Sequence, residues 1–334
     1  PWTCGACHVE DKHGVPVAEK TPEQMLESKY ADDTHGKGLL RAGLITAPTC
    51  VTCHGGHDVR SSDDAASPMH PNRVSESCGE CHVGIYERFQ KSVHGLAPRG
   101  VPAEDGESVR EPATCTDCHK PHAIQAPGEH FKLQTIATCN ECHGDRGHTY
   151  YATYHGKIAS IGYGDIASCD DCHTAHDILP ESDPHSSINM ANRGETCAKC
   201  HEGAHEEFAR SWLQADPDDK EEFPILYWAR VIMRSVILGT WAIWGIHTLL
   251  WLYRLLKDRK ILKAHLKPVS GRWYRRWPWT HRAIHLMLVF SFLLLAATGL
   301  PLRYFDTGWA KWLFDLFGGA ENVRWLHRFG AVLT

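Results

Sequence analysis

Cys169-Asp170-Asp171-Cys172-His173-Thr174-Ala175-His176 decides the reading of the chain, because its first five positions recur through the N-terminal part of the sequence. Two cysteines spaced CxxC and followed at once by histidine form the attachment pattern of a c-type haem. The thiols bond to the porphyrin edge, and the adjacent histidine is held where it can ligate the iron from one side. The pattern occurs seven times, at Cys4/Cys7/His8, Cys50/Cys53/His54, Cys78/Cys81/His82, Cys115/Cys118/His119, Cys139/Cys142/His143, Cys169/Cys172/His173 and Cys197/Cys200/His201, and it uses all fourteen cysteines. Zinc ribbons pair one CxxC with another and have no reason to add a histidine each time. A disulfide framework would not keep one spacing seven times.

Composition divides the 334 residues near position 223, with every cysteine upstream and ten of the twelve tryptophans downstream. The net charge of -5 averages two unlike halves, and neither half suggests a nucleic-acid partner. About 220 residues for seven haems leave too little protein for an apolar core, so short helices and loops wrapped on haem faces are expected. The predicted class is mainly α: a loop-rich multihaem cytochrome c domain over residues 1–222, followed by a transmembrane helical bundle.

The motifs fall into a repeating two-haem unit of roughly 60 residues. One class reads CxxCHxxH, with His57, His122 and His176 in the last position. The other class, at Cys78, Cys139 and Cys197, follows after a loop, and an aromatic segment then leads to a His-Gly pair at His35, His94 and His155. Cys4 fits this second class, so residue 1 falls inside a repeat and a further motif upstream is expected. Twelve histidines lie outside the motifs in this half, against three methionines, Met25, Met69 and Met190, so bis-histidine ligation of every iron is expected. The candidate distal ligands are His35, His57, His94, His122, His155 and His176, with His185 as the seventh and His70 and His130 read as its counterparts. His13, His148 and His205 are read as surface or propionate-contacting residues. Which histidine serves which iron is left open.

Residues 1 to about 212 resemble the multihaem c-type cytochromes with doubled CxxCH motifs. That resemblance implies closely packed haems passing electrons along a chain. No motif has lysine in place of its histidine, so the variant catalytic haem of pentahaem nitrite reductases is not matched.

After the polar hinge Asp216–Glu222 the chain turns apolar. Ser235 to Tyr253 is long enough to cross a bilayer core, and residues 223–256 are expected as the first transmembrane helix. Between Lys257 and Arg282 stand nine Lys/Arg against one acidic residue, Asp258, which marks residues 257–279 as a cytoplasmic loop. The haem c domain is then periplasmic, and the protein belongs in a bacterial inner membrane. A second helix is expected from about Thr280 to Leu302, an interfacial aromatic segment from Phe305 to Phe317, and a third helix from Val323. Twelve residues from Val323 span about 18 Å, too short to cross, so the sequence is expected to continue beyond Thr334.

Histidines in apolar helices are costly and usually functional. Trp279-Thr280-His281-Arg282-Ala283-Ile284-His285-Leu286, running to Thr298-Gly299-Leu300-Pro301-Leu302, resembles the first helix of the membrane cytochrome b subunits of formate dehydrogenase and thiosulfate reductase. Trp325-Leu326-His327-Arg328-Phe329-Gly330 resembles the start of their second helix. The usual tryptophan after the first histidine is Leu286 here. The resemblance implies that residues 280–334 begin a cytochrome b-type domain, that His285 and His327 ligate two different b haems completed by later helices, and that quinone or quinol is a substrate. His281 is read as a propionate or quinone contact, His247 as a packed helix histidine or a cofactor contact, and His265 as solvated.

The expected function is a membrane quinol-oxidising cytochrome bc protein, acting as a quinol:cytochrome c-type oxidoreductase with the quinone pool and periplasmic or extracellular redox proteins as partners, or running in reverse. The competing expectations are a reductase of nitrogen or sulfur oxyanions and an electron-transfer subunit of a larger respiratory complex.

Overall fold

The computed structural model describes residues 26–102, 109–126, 129–210, 214–258, 260, 263 and 277–334. Cys4, Cys7, His8, His13, Met25, Trp212, His265, most of the basic loop and the His130 side chain lie outside the described residues. The chain is mainly helical, as the sequence predicts. Its two strands among the described residues are a two-residue antiparallel pair, Val101–Pro102 with Val109–Arg110. Two compact units form, one from residues 1–148 and 162–211, the other from 149–161 and 212–334.

In the first unit the helices are short, and several begin at the cysteines themselves: Cys50–His54, Cys115–Cys118 and Cys169–His173. Each starts on a Ser or Thr that closes a capping box with the residue three places on, Thr49 with Thr52, Thr114 with Asp117 and Ser168 with Asp171. Such a cap satisfies N–H groups that a one-turn helix otherwise leaves without partners. What the unit buries is mostly these caps. Asp33, Ser67, Ser92, Thr114, Ser168 and Ser186 are buried, against a small apolar set of Tyr30, Ala47, Val74, Ile136 and Ala209.

The register of the repeat is visible in its hydrogen bonds. Ser67 Oγ reaches the Arg60 carbonyl and Ser186 Oγ the Leu179 carbonyl; Ser77 Oγ reaches Pro68 O and Thr196 Oγ1 reaches Ser187 O. Each pair is offset by the same 119 positions that separate His54 from His173. His70 therefore corresponds to Asn189, and His185 to Ala66. The expected equivalence of His70 with His185 is not kept, because it follows the similarity of loop composition and not the turn geometry.

The second unit contains two helices long and apolar enough to cross a membrane, Pro224–Lys257 and Trp279–Arg303. The first extends beyond the spanning stretch Ser235 to Tyr253 in both directions. Pro224 stands in the first turn, where its missing N–H costs nothing, and no breaker follows. None of its residues is buried. The second agrees with the predicted span within a residue at each end. It packs against Gly308–Leu316 and Ala320–Leu333, burying Ala310, Phe314 and Val323. The segment expected only as an interfacial belt thus turns one face, Ala310 and Phe314, into the packing. The short helix Tyr154–Ser160 also packs on Trp279–Arg303 within this unit.

Candidate haem-binding site

Three helices present the histidines that precede glycine, and all three are built alike. Two residues before each histidine stands a cap: Asp33 accepts from the Gly36 N–H at 2.6 Å, Ser92 from Gly95 at 3.1 Å and Thr153 from Gly156 at 3.1 Å. The glycine is required by close approach. A Cβ there would stand 1.7 Å from the Tyr30 carbonyl oxygen at Gly36, 2.1 Å from that of Phe89 at Gly95 and 2.2 Å from that of Tyr150 at Gly156. Cap and glycine together fold the histidine-bearing turn back onto the preceding helix. The cap is a functional residue that the sequence reading missed, although Asp-x-His-Gly, Ser-x-His-Gly and Thr-x-His-Gly were there to be read.

Four of the motif histidines face a second histidine. His82 stands opposite His35 with ring centres 6.1 Å apart, His143 opposite His94 at 6.1 Å, His54 opposite His122 at 6.0 Å and His119 opposite His176 at 6.1 Å. The partners obey two rules. A histidine of the CxxCHxxH class meets the last histidine of the next CxxCHxxH motif along the chain. One of the other class meets the His-Gly histidine that precedes its own unit. Burial holds the imidazoles of His94, His119, His122 and His176 below the ordinary histidine range, so they stay neutral with a lone pair to offer. His122 reaches its place with φ of 65°, an uncommon conformation for a side-chain-bearing residue.

The other candidates are distributed differently. His57 is exposed. His185 is 87% exposed and places Nδ1 3.2 Å from Asp183, away from any other histidine ring among the described residues. His155 belongs to the second unit, on the helix Tyr154–Ser160. His201 packs against Phe208 at 5.2 Å.

The cysteines themselves form a line. Sγ of Cys78 is within hydrogen-bonding reach of Cys115, and Cys139 of Cys169. Cys53 feels the charge of Cys81, Cys118 that of Cys139 and Cys142, and Cys172 that of Cys197. Burial is the main influence on Cys53, Cys118 and Cys172 and pushes their thiols up, Cys118 to about 11. Six motifs, from Cys50 to Cys200, therefore neighbour one another in chain order.

The second cysteines Cys81, Cys118, Cys142 and Cys200 are exposed. The helices at Cys50, Cys115 and Cys169 begin on their motifs, whereas Cys139 and Cys142 close the fourteen-residue helix Glu129–Cys142. Cys139 and Cys142 are three positions apart in the helix and share a face, so both can still reach one porphyrin edge.

In the second unit, Thr298 is fully buried in Trp279–Arg303 and gives its hydroxyl proton to the Leu294 carbonyl at 2.7 Å. The same oxygen lies 2.8 Å from His327 Nδ1 and so accepts from it, which leaves Nε2 as the free lone pair. Gly299 gives the ring room, since a Cβ there would come within 3.3 Å of His327 Cε1. His285 stands edge-on to Trp277 at 5.7 Å, and His247 edge-on to Trp244 at 5.9 Å.

Residues 107–148 match the family described as the doubled CXXCH motif. The chain is also similar to the cytochrome c-type protein NapC of Haemophilus influenzae, 26% identical over 163 residues that cover 41% of this chain and 70% of that protein. No solved structure matches. The motifs, the family match over residues 107–148 and this relative agree on one point: the chain carries a multihaem c-type cytochrome region and binds haem through CxxCH.

Proposed function

We propose that this protein is a membrane-anchored quinol-oxidising cytochrome, in which residues around His285 and His327 hold two b haems and the CxxCH region holds seven c haems that lead electrons to a periplasmic or extracellular acceptor. When bound, the haems supply one-electron chemistry, and the chain supplies spacing, axial nitrogens and local polarity.

The observation that carries the reading is the gap between paired rings. A metal–imidazole bond is about 2.0–2.1 Å, and with roughly 1.1 Å from each nitrogen to its ring centre two axial imidazoles stand roughly 6.3 Å apart. The four pairs at 6.0–6.1 Å fit that width. Each of these proximal histidines also follows its two thioether cysteines directly, so attachment and ligation come from one turn of chain. The chain-ordered contacts between motif cysteines support transfer from each site to the next.

Support for the membrane part is of another kind. From His285 to Thr298, which holds His327, is thirteen residues of one helix, or about 20 Å of rise. Two ligands that far apart serve two irons, near opposite faces of the bilayer. Burial and the neighbouring Arg303 lower the Lys157 ammonium, so the helix bearing His155 lies at the Arg303 end of Trp279–Arg303, the end that also holds His327.

Replacing His327 by alanine tests the route in the membrane-embedded protein. Quinol is expected to reduce the inner b haem while the c haems stay oxidised. Reduction of the c haems at the normal rate means that quinol enters on the other side, and it overturns this assignment.

A further inference from the structure

The three CxxCHxxH motifs differ in the residue just before the second cysteine: Thr52, Asp117 and Asp171. In all three it closes the same cap. Thr52 Oγ1 accepts from the Thr49 N–H at 3.0 Å, Asp117 Oδ2 from that of Thr114 at 2.6 Å and Asp171 Oδ2 from that of Ser168 at 2.8 Å. A neutral hydroxyl is enough to start this helix, so the cap by itself does not call for a charge at Asp117 or Asp171.

The charge falls on the attachment site. Asp117 is one residue before Cys118 and two before His119, and its charge reaches the thiols of both Cys115 and Cys118. Asp170 acts in the same way on Cys169, and Asp171 on Cys172. The Ser168 hydroxyl lies within hydrogen-bonding distance of both these carboxylates, and the Lys132 ammonium, 3.2 Å from Asp171, offsets part of one charge. Ligation offers no comparable difference between the first two motifs. His54 faces His122 across 6.0 Å with ring planes at 16°, and His119 faces His176 across 6.1 Å at 19°. Two sites with the same axial pair thus differ by one fixed charge beside the porphyrin edge.

Accepting the ring pairs as axial pairs and the CxxCH region as an electron carrier, we infer that Asp117 and Asp171 are potential-setting residues. They hold the haems anchored at Cys115 and Cys169 at lower reduction potential than the haem anchored at Cys50, so that among these three an electron comes to rest at Cys50. A ferric haem carries one more positive charge than a ferrous one, and a fixed anion close by favours the ferric form. Haem potential answers to local polarity as well as to the identity of the axial ligands, which are alike here. The capping bonds keep the carboxylate from swinging away from the site.

Spectroelectrochemical titration of the membrane-embedded full chain with soluble mediators, read at the c-haem α band, tests the inference. Exchanging the cap residues changes the charge and keeps the cap. Thr52→Asp is expected to lower the potential of one c haem, and Asp117→Thr and Asp171→Thr each to raise that of another. Each shift should be about tenfold in the equilibrium constant, or 59 mV for a one-electron couple. Mass spectrometry should still find seven covalent haems. The isosteric Asp117→Asn should repeat the rise seen with threonine, and it reads the same charge if the threonine variant fails to fold. A merely structural carboxylate would cost stability and leave the potentials in place. Unmoved potentials in both Asp117→Thr and Asp117→Asn overturn the inference, as does a Thr52→Asp protein whose c haems titrate unchanged or higher. Mediators reduce the c haems without quinol. A protein that shows these shifts but is not reduced by quinol therefore sinks the quinol-oxidising reading and supports this one.

Discussion

The two units hold their histidines by different means. In the CxxCH unit eight of the described histidine rings close into four pairs across 6.0–6.1 Å, although few apolar side chains are buried there. In the membrane unit, His285 and His327 are both exposed and about 20 Å apart along the helix frame, on helices whose packed side buries Phe314, Val323 and Pro301. The difference follows from chemistry. Two thioether bonds fix a c haem to five residues of chain, so the polypeptide can be little more than caps, turns and ligands. A haem held without covalent bonds needs its pocket built from facing helices. The first unit can therefore supply both ligands from a short repeat, whereas the second presents single histidines.

The comparison breaks most severely if a thioether anchor is removed. Cys115→Ala/Cys118→Ala takes out the third site in the described line, whose first cysteine contacts Cys78 and whose second feels Cys139. Mass spectrometry is expected to show six covalent haems in place of seven. Electron transfer from the membrane end to the sites before it should slow by on the order of 100-fold or more, equal to roughly 2.7 kcal/mol of barrier. An unchanged rate would mean that the line of motifs is not the path. His285→Ala, by contrast, should leave the covalent count at seven.

A smaller effect is expected at the glycine that folds a ligand turn back on its helix. Gly95→Ala puts a methyl 2.1 Å from the Phe89 carbonyl oxygen and 2.8 Å from the Gln90 Cα, both backbone atoms that cannot swing aside. Overpacking of this kind costs about 1–3 kcal/mol, and the His94 ring should be displaced with it. Gly84 lies in the neighbouring helix Val83–Phe89 with nothing within 4 Å of its would-be Cβ. Gly84→Ala should be neutral or stabilising by about 0.5–1 kcal/mol. Thermal denaturation of both variants, with the absorption of the low-spin haems followed in parallel, separates the two. Equal stability would remove the close-approach account of the His-Gly pair.

How far the sequence could be read depends on whether a feature is local. The seven motifs, the two classes and the membrane helix Trp279–Arg303 rest on spacing or on a run of apolar residues, and they are legible. The partner of His54 is 68 residues away and that of His82 is 47 residues away in the other direction, so the pairing is set by how repeats stack and not by any one stretch. The false equivalence of His70 and His185 has another origin. Cys78 follows His54 by 24 positions and Cys197 follows His173 by the same 24, so the gapless register pairs His70 with Asn189, and composition alone does not show it. That the Cys139 motif closes a helix while those at Cys50, Cys115 and Cys169 open one is equally out of reach of the motif, since five identical positions do not say whether a helix starts or stops on them. The caps at Asp33, Ser92 and Thr153 were legible by ordinary helix-start rules, but the histidine two places on drew the attention first.

The finest test concerns His327, whose tautomer the fold decides. Thr298 donates to Leu294 O and accepts from His327 Nδ1–H, so the ring is held with Nε2 pointing its lone pair away from the helix pair. Thr298→Val keeps the shape and removes the acceptor, leaving Nδ1–H without a partner in an apolar setting. Losing such a bond costs about 0.5–1.5 kcal/mol, and outer-shell partners of ligating histidines typically tune metal affinity by roughly 10–100-fold. In the membrane-embedded protein the b haem near the Arg303 end should therefore bind more weakly and titrate at a shifted potential, while the c haems keep theirs. Thr298→Ser restores the hydroxyl and should restore the potential, which a mere packing defect would not do. If valine and serine behave alike, the hydrogen bond has no part in ligation, and the contrast between a self-paired c unit and an oriented, singly liganded b unit loses its best-defined residue.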